Sequence, residues 1–205
     1  MILSEYNRDQ LHALNIVQDF FKSLPSSEAQ KLITQTASYI EFRTVVADFH
    51  NKYLSDICTA KCFTGMESAC CNKEGIATFF ADVVINVLHS DTSQLEKIER
   101  QLTHGSPGNK CIYLTNNGCL WQYKPIVCEM FLCSHAKTGL EKKDPACIKR
   151  WEKLRQDEKK FTWPDKPVLF DEIEKLFIKQ GINSPLMYFH KSPGLLRIKS
   201  KWKNI

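Results

Sequence analysis

Apolar positions along the 205-residue chain recur mostly at helical intervals. Leu14, Val17, Phe21 and Leu24, with Leu11 and Phe20 beside them, predict a first helix that Pro25 closes. Ser27 followed by Gln30 reads as a capping box for a second helix to about Asn51. The two are expected to form a helical hairpin, and no residue on them suggests chemistry. Residues 53–75 read as irregular. The cleanest amphipathic stripe follows, through Ile76, Phe79, Phe80, Val83, Val84, Val87 and Leu88, interrupted by Asp82 and Asn86. Ser93 and Glu96 form a second capping box, for a short charged helix ending near Gly105.

The next stretch, 104–120, is rich in Gly and Asn and reads as loop, with a very short strand over Ile112–Leu114. Pro125 is placed to open a short helix reaching Cys133, and Asp144-Pro145 to open one through Trp151 and Leu154. The last predicted helix spans about Val168 to Gln180 and stops at Gly181. Beyond it, Lys191, Arg197, Lys199, Lys201 and Lys203 interleave with Leu195, Leu196, Ile198 and Trp202 as a solvated amphipathic tail. The fold class is therefore mostly α: a helical domain with cysteine-bearing loops around a metal centre. We expect one domain over 1–205, with an N-terminal helical hairpin over 1–52, a cysteine-cluster metal-binding region over 53–135, and C-terminal helices with the basic tail over 136–205.

Composition narrows the class. Hydrophobic residues make up 43% and charged residues 25%, which excludes a disordered chain. The start is polar by Glu5, which is wrong for a secretory signal, and no apolar run approaches a membrane span. A cytoplasmic protein with no membrane partner is expected. The formal charge of +5 counts every thiol as neutral, and eight thiolates would turn it into −3 before any metal charge is added. The basic excess is thus a poor argument for a nucleic acid partner.

Cysteine usage changes the picture most. Eight of nine cysteines lie between 58 and 133: Cys58, Cys62, Cys70, Cys71, Cys111, Cys119, Cys128 and Cys133. Cys58 and Cys62 are spaced to share one helical face, Cys70 and Cys71 are adjacent, Cys111 and Cys119 bracket a turn-rich loop, and Cys128 and Cys133 close the set. Zinc and iron both take tetrahedral thiolate sites of four ligands. Eight cysteines therefore suggest two such sites, or one larger site with sulfurs to spare. A disulfide framework, inert core thiols and a thiol redox switch are the competing readings; the odd count and the missing export signal weigh against the first. Cys147 stands apart and reads as a core or surface thiol, and His135 as a loop residue. Trp121 and Tyr123 are expected to shield the metal from water.

The run Cys58-x3-Cys62-x7-Cys70-Cys71, then Cys111-Ile-Tyr-Leu, then Gly118-Cys119, then Pro125-x2-Cys128-x2-Phe131-x-Cys133, resembles the YkgJ-like cysteine-cluster family. That family is described as a zinc- or iron-chelating domain with eight characteristic cysteines. The pattern is also similar to the cysteine cluster of the FliB-type flagellin lysine methylases. Two positions depart from it: Lys124 precedes Pro125 and Glu129 follows Cys128 where the family usually has arginine. The resemblance implies that the eight cysteines hold zinc or an iron–sulfur centre. It also opens an alternative, an iron–sulfur enzyme or enzyme component resembling a protein-lysine N-methylase. A thiol redox sensor is the third function carried forward. No phosphate loop, dinucleotide fingerprint, zinc-protease helix or nucleophile elbow is present, so nothing in the sequence decides whether the chain is an enzyme.

Overall fold

The computed structural model describes residues 3–58, 60, 77–104, 111–115, 118–163 and 167–188. Among these it is mostly helical. The elements are α1 (Glu5–Ser23), α2 (Ser26–Tyr53), α3 (Ser55–Cys58), α4 (Phe80–His89), α5 (Thr92–His104), β1 (Leu114–Thr115), β2 (Gly118–Cys119), α6 (Ile126–Glu129), α7 (Ser134–Lys143), α8 (Ala146–Thr162) and α9 (Leu169–Lys179). The start of the third predicted helix at Ile76, the loop over 105–110 and the basic tail from Lys191 lie outside the described residues. No described helix is long and apolar enough to cross a membrane.

Local chemistry sets the helix ends, and not always where the motifs suggest. Ser4 caps α1 by accepting the Asn7 N–H at 3.1 Å. Pro25 stands at the start of α2, so Ser27 already lies inside the helix and the expected capping box does not form. For α5 the cap is Asp91, whose carboxylate accepts the Gln94 N–H at 2.8 Å, in place of Ser93. Asp82 and Asp171 each reach back to the chain entering their own helix, accepting Phe79 N and Val168 N at 3.0 Å. Gly181 ends α9 at φ 74°, and Ile182 N closes back on Phe177 O at 3.0 Å.

Burial of apolar faces then assembles the helices. α4, apolar almost all round, is the centre: it packs against α1, α2 and α9. α1 packs on α4 and α5, whereas α2 packs on α3, α4 and α8. The first two helices thus share α4 as a packing partner. Periodicity tells which face is apolar and leaves its partner open. One hydrophobic cluster runs from Ala13 to Met187. Its aromatic heart joins Phe20, Phe80 and Phe177, with ring centroids at 4.2 and 4.9 Å from Phe177, and continues through Tyr39, Phe161 and Phe170.

The strand expected at Ile112–Leu114 is found two residues later as a two-stranded antiparallel hairpin, Leu114 opposite Cys119 and Thr115 opposite Gly118. The helix expected from Pro125 to Cys133 stops at Glu129. A separate helix, α7, begins immediately after Cys133.

Phe177 is fully buried among three other phenylalanines, so its truncation leaves a cavity that rigid helices cannot fill. Phe177→Ala should cost about 3–5 kcal/mol of unfolding free energy, read by urea titration.

Candidate functional site

Five of the eight candidate ligands, Cys58, Cys111, Cys119, Cys128 and Cys133, are described; Cys62, Cys70 and Cys71 lie outside the described residues. The β1–β2 hairpin carries Cys111 and Cys119 at its two ends. Leu120 N bonds Tyr113 O at 2.8 Å, and Leu114 N bonds Cys111 O at 3.1 Å, so Cys111 lies in the turn that enters the hairpin and Cys119 in its second strand, opposite Leu114. The Cys111 sulfur also accepts the Tyr113 N–H at 3.4 Å. Cys128 sits in the single turn of α6, its N–H on Pro125 O at 2.9 Å. Cys133 caps α7, its sulfur accepting the Ala136 N–H at 3.4 Å.

Two groupings emerge. Cys111 and Cys128 act electrostatically on the Tyr6 phenol, and Cys111 and Cys119 on that of Tyr113. Burial raises the pKa of both tyrosines, and the charges of Cys111 and Cys128 at Tyr6, and of Cys111 and Cys119 at Tyr113, push the same way. Tyr113 packs on Trp121, ring centroids 5.0 Å apart, and Trp121 is buried as a water shield would be. Tyr123 is only half-buried.

The second grouping is at the α3–α7 contact. Asp56 meets Lys143 at the far end of α7, at 3.3 Å. Next, Ile57 packs its side chain directly against Gly139, in the space a Cβ there would take.

Thiol sulfurs with N–H donors fit a thiolate-held metal in kind. Among the described residues, however, no three His, Cys, Asp or Glu side chains gather closely enough to hold one ion. A four-sulfur site would therefore need at least two donors from among Cys62, Cys70 and Cys71. His135 is exposed on the first turn of α7. Cys147 is fully buried, and burial together with Asp144 pushes its thiol up, which suits an inert core residue.

Polar side chains from three helices, Gln94 half-buried and the others buried, clamp the loop that bears Cys119 and Cys128. Asn86 on α4 makes a two-way bond to the backbone of Tyr123, donating to its oxygen at 2.8 Å and accepting its N–H at 3.0 Å. One turn earlier, Asp82 accepts the Ile126 N–H at 3.1 Å with the oxygen that does not hold Phe79. Gln94 on α5 donates to Leu120 O. Arg43 on α2 donates to Tyr39 Oη at 2.8 Å, to Lys124 O at 2.5 Å and to the Glu129 carboxylate. Arg43, Asp82 and Glu129 are all buried.

Burial raises the pKa of Asp82 to about 7; Arg43 and the Phe79 and Ile126 N–H groups oppose the shift, and Glu129 adds to it. His50, next to this network, is pulled down, chiefly by burial. The sequence gives a faint signal for Asp82 and Asn86, two polar residues one turn apart in an otherwise apolar helix. It gives none for Arg43, Glu129 or Tyr6.

No family model, no curated protein and no solved structure matches the chain.

Two measurements test the clamp. Arg43→Met leaves the Glu129 charge buried alone and should cost about 3–5 kcal/mol, most of it regained in the double variant Arg43→Met/Glu129→Leu. Asp82 titrates near 7 folded and near about 3.9 unfolded. The folded chain therefore binds the extra proton between those values, and its stability falls as pH rises from about 4 to about 7. Unfolding curves of wild type and Asp82→Asn, taken side by side so that shared titrations cancel, should show this slope only in the wild type.

Proposed function

We propose that the chain is a metal-binding protein whose cysteine cluster, Cys58, Cys62, Cys70, Cys71, Cys111, Cys119, Cys128 and Cys133, holds zinc or an iron–sulfur centre. What supports this is the crowding of eight cysteines between 58 and 133, with the backbone between Cys119 and Cys128 held by buried side chains of α4. Loops held this way keep ligands in place before the ion arrives and reduce the ordering that binding must otherwise supply. A structural zinc site contributes on the order of 10 kcal/mol to folding, and an iron–sulfur centre adds the capacity to take up an electron. Around either, the chain's own residues orient the sulfurs, donate N–H groups to them and, through Trp121, exclude water.

A thiol redox sensor is the second reading. It draws support from the partial exposure of Cys58, Cys119, Cys128 and Cys133, since oxidants reach only accessible sulfur.

Protein purified without oxygen and assayed for metal by mass spectrometry, with a visible spectrum, separates the readings. Zinc at about two per chain without colour is expected for closed sites; iron with sulfide and visible absorption is expected for a cluster. Cys119→Ser and Cys128→Ser should each lower the metal content, while Cys147→Ser should leave it unchanged. Wild type that carries no metal, and whose melting ignores a chelator, would sink the metal-binding role and leave the redox sensor.

A further inference from the structure

The end of α7 and the first half of α8 concentrate positive charge: residues 142–155 hold six cationic side chains against the two carboxylates Asp144 and Glu152. α7 packs on α3 and α8, and α8 packs on α2, so the end of α2 meets this segment. There, cations from three helices converge on Tyr53. Lys143 Nζ donates to its carbonyl at 3.5 Å, and Arg150 donates to its hydroxyl. Lys52 Nζ stands 5.2 Å from its ring centroid, and the Arg150 guanidinium 6.0 Å. Lys149 and Lys153 continue the Arg150 flank of α8. Cys147, Trp151 and Leu154 of that helix face the core, and Ile148, Glu152 and Arg155 line a groove on the other flank.

Like charges brought together repel, so gathering them has a cost that carboxylates or a ligand must offset. Carboxylates do little of it here. Lys143 meets Asp56 at 3.3 Å, but among the described residues Lys52, Lys149, Arg150 and Lys153 form no ion pair. Asp157, on the same flank of α8, is taken by Lys160 at 2.6 Å. Asp48, one turn before Lys52, is the other exposed carboxylate at this end of α2. The Tyr53 ring and hydroxyl hold Lys52 and Arg150 in place without neutralising them. All four free cations are exposed, and they are spread over two helices. Such a set suits a ligand that carries its negative charge in a row.

The surroundings choose among polyanions. A membrane surface holds a basic patch firmly only with a second, apolar anchor. Of the large exposed hydrophobics only Val45 is near, two turns before Lys52, and one valine is too little to insert. A single strand needs open aromatic faces on which to stack its bases, and the half-buried Tyr53 ring already carries Lys52 and Arg150. The backbone of a duplex asks for neither, only for exposed Lys and Arg. We infer that the surface formed by Lys52, Lys149, Arg150 and Lys153 around Tyr53 binds the phosphate backbone of duplex nucleic acid without reading its sequence. Neither the net charge of the chain nor a metal is needed for this.

The test is fluorescence anisotropy of a labelled DNA duplex of arbitrary sequence, titrated with the full chain at several salt concentrations. Four phosphate contacts should give a slope of log affinity against log salt of about −3 to −4. Lys149→Gln/Lys153→Gln should weaken binding to every duplex alike and make the slope shallower by about 2. Lys97→Gln/Lys179→Gln removes the same charge from exposed positions on α5 and α9 and should bind as wild type does. Circular dichroism checks that the variants are folded; should the first not be, Lys52→Gln replaces it, with a slope shallower by about 1. Wild type that leaves the duplex unbound at low salt overturns the inference. An equal loss in the two double variants overturns it as well, since net charge alone would then be acting. Binding confined to phosphatidylserine vesicles, with none to the duplex, gives the surface to a membrane and overturns it too.

Discussion

A guanidinium away from water calls for acceptors, and in this chain two of the three that Arg43 finds belong to the cysteine loop. Arg43 projects from the middle of α2 and divides its donors among Tyr39, the carbonyl of Lys124 and the carboxylate of Glu129. The rest of the core is held by apolar contact, which is strong in sum and indifferent to small slides of one helix along another. Directional bonds to a buried charge are not indifferent. Glu129 follows Cys128 directly, so the position of Arg43 fixes where that sulfur can be. Such a pair adds little net stability over an apolar replacement, because both charges are stripped of water. Its contribution is to make one arrangement of α6 acceptable and the alternatives costly.

Asp82 and Asn86 extend the same logic from the opposite side. Each satisfies backbone groups of a loop that has little secondary structure of its own to pair with. α4 can bring polar groups to this place only because its remaining faces are apolar and buried against α1, α2 and α9. A helix that is otherwise all core thus lends two residues to an irregular segment.

Much of the helical skeleton is legible in the sequence. The apolar periodicity of residues 11–24 and 79–88, the break at Pro25 and the stop at Gly181 each reflect a local constraint that needs no partner. α7 was not legible: Ser134–Lys143 offers only Ala136 and Leu140 to the core, contains Gly139, and is capped by a cysteine sulfur. The two capping boxes failed because Pro25 and Asp91 lie slightly upstream and start their helices first. For the site, the cysteines announced themselves by type and crowding. Arg43 and Glu129 did not, since a charge in a long helix and a charge beside a cysteine look like surface until the fold brings them together across 86 residues.

That separation also has a consequence in time. At synthesis rates of about 5–20 residues per second, Arg43 is made roughly 4 to 17 s before its carboxylate partner exists. Throughout that interval α2 can be helical, but its central charge has only water and Tyr39 to answer it, which favours keeping this stretch of the helix solvated. Closure around Arg43 is therefore a late event of high contact order on the growing chain, and the cysteine loop is drawn in with it.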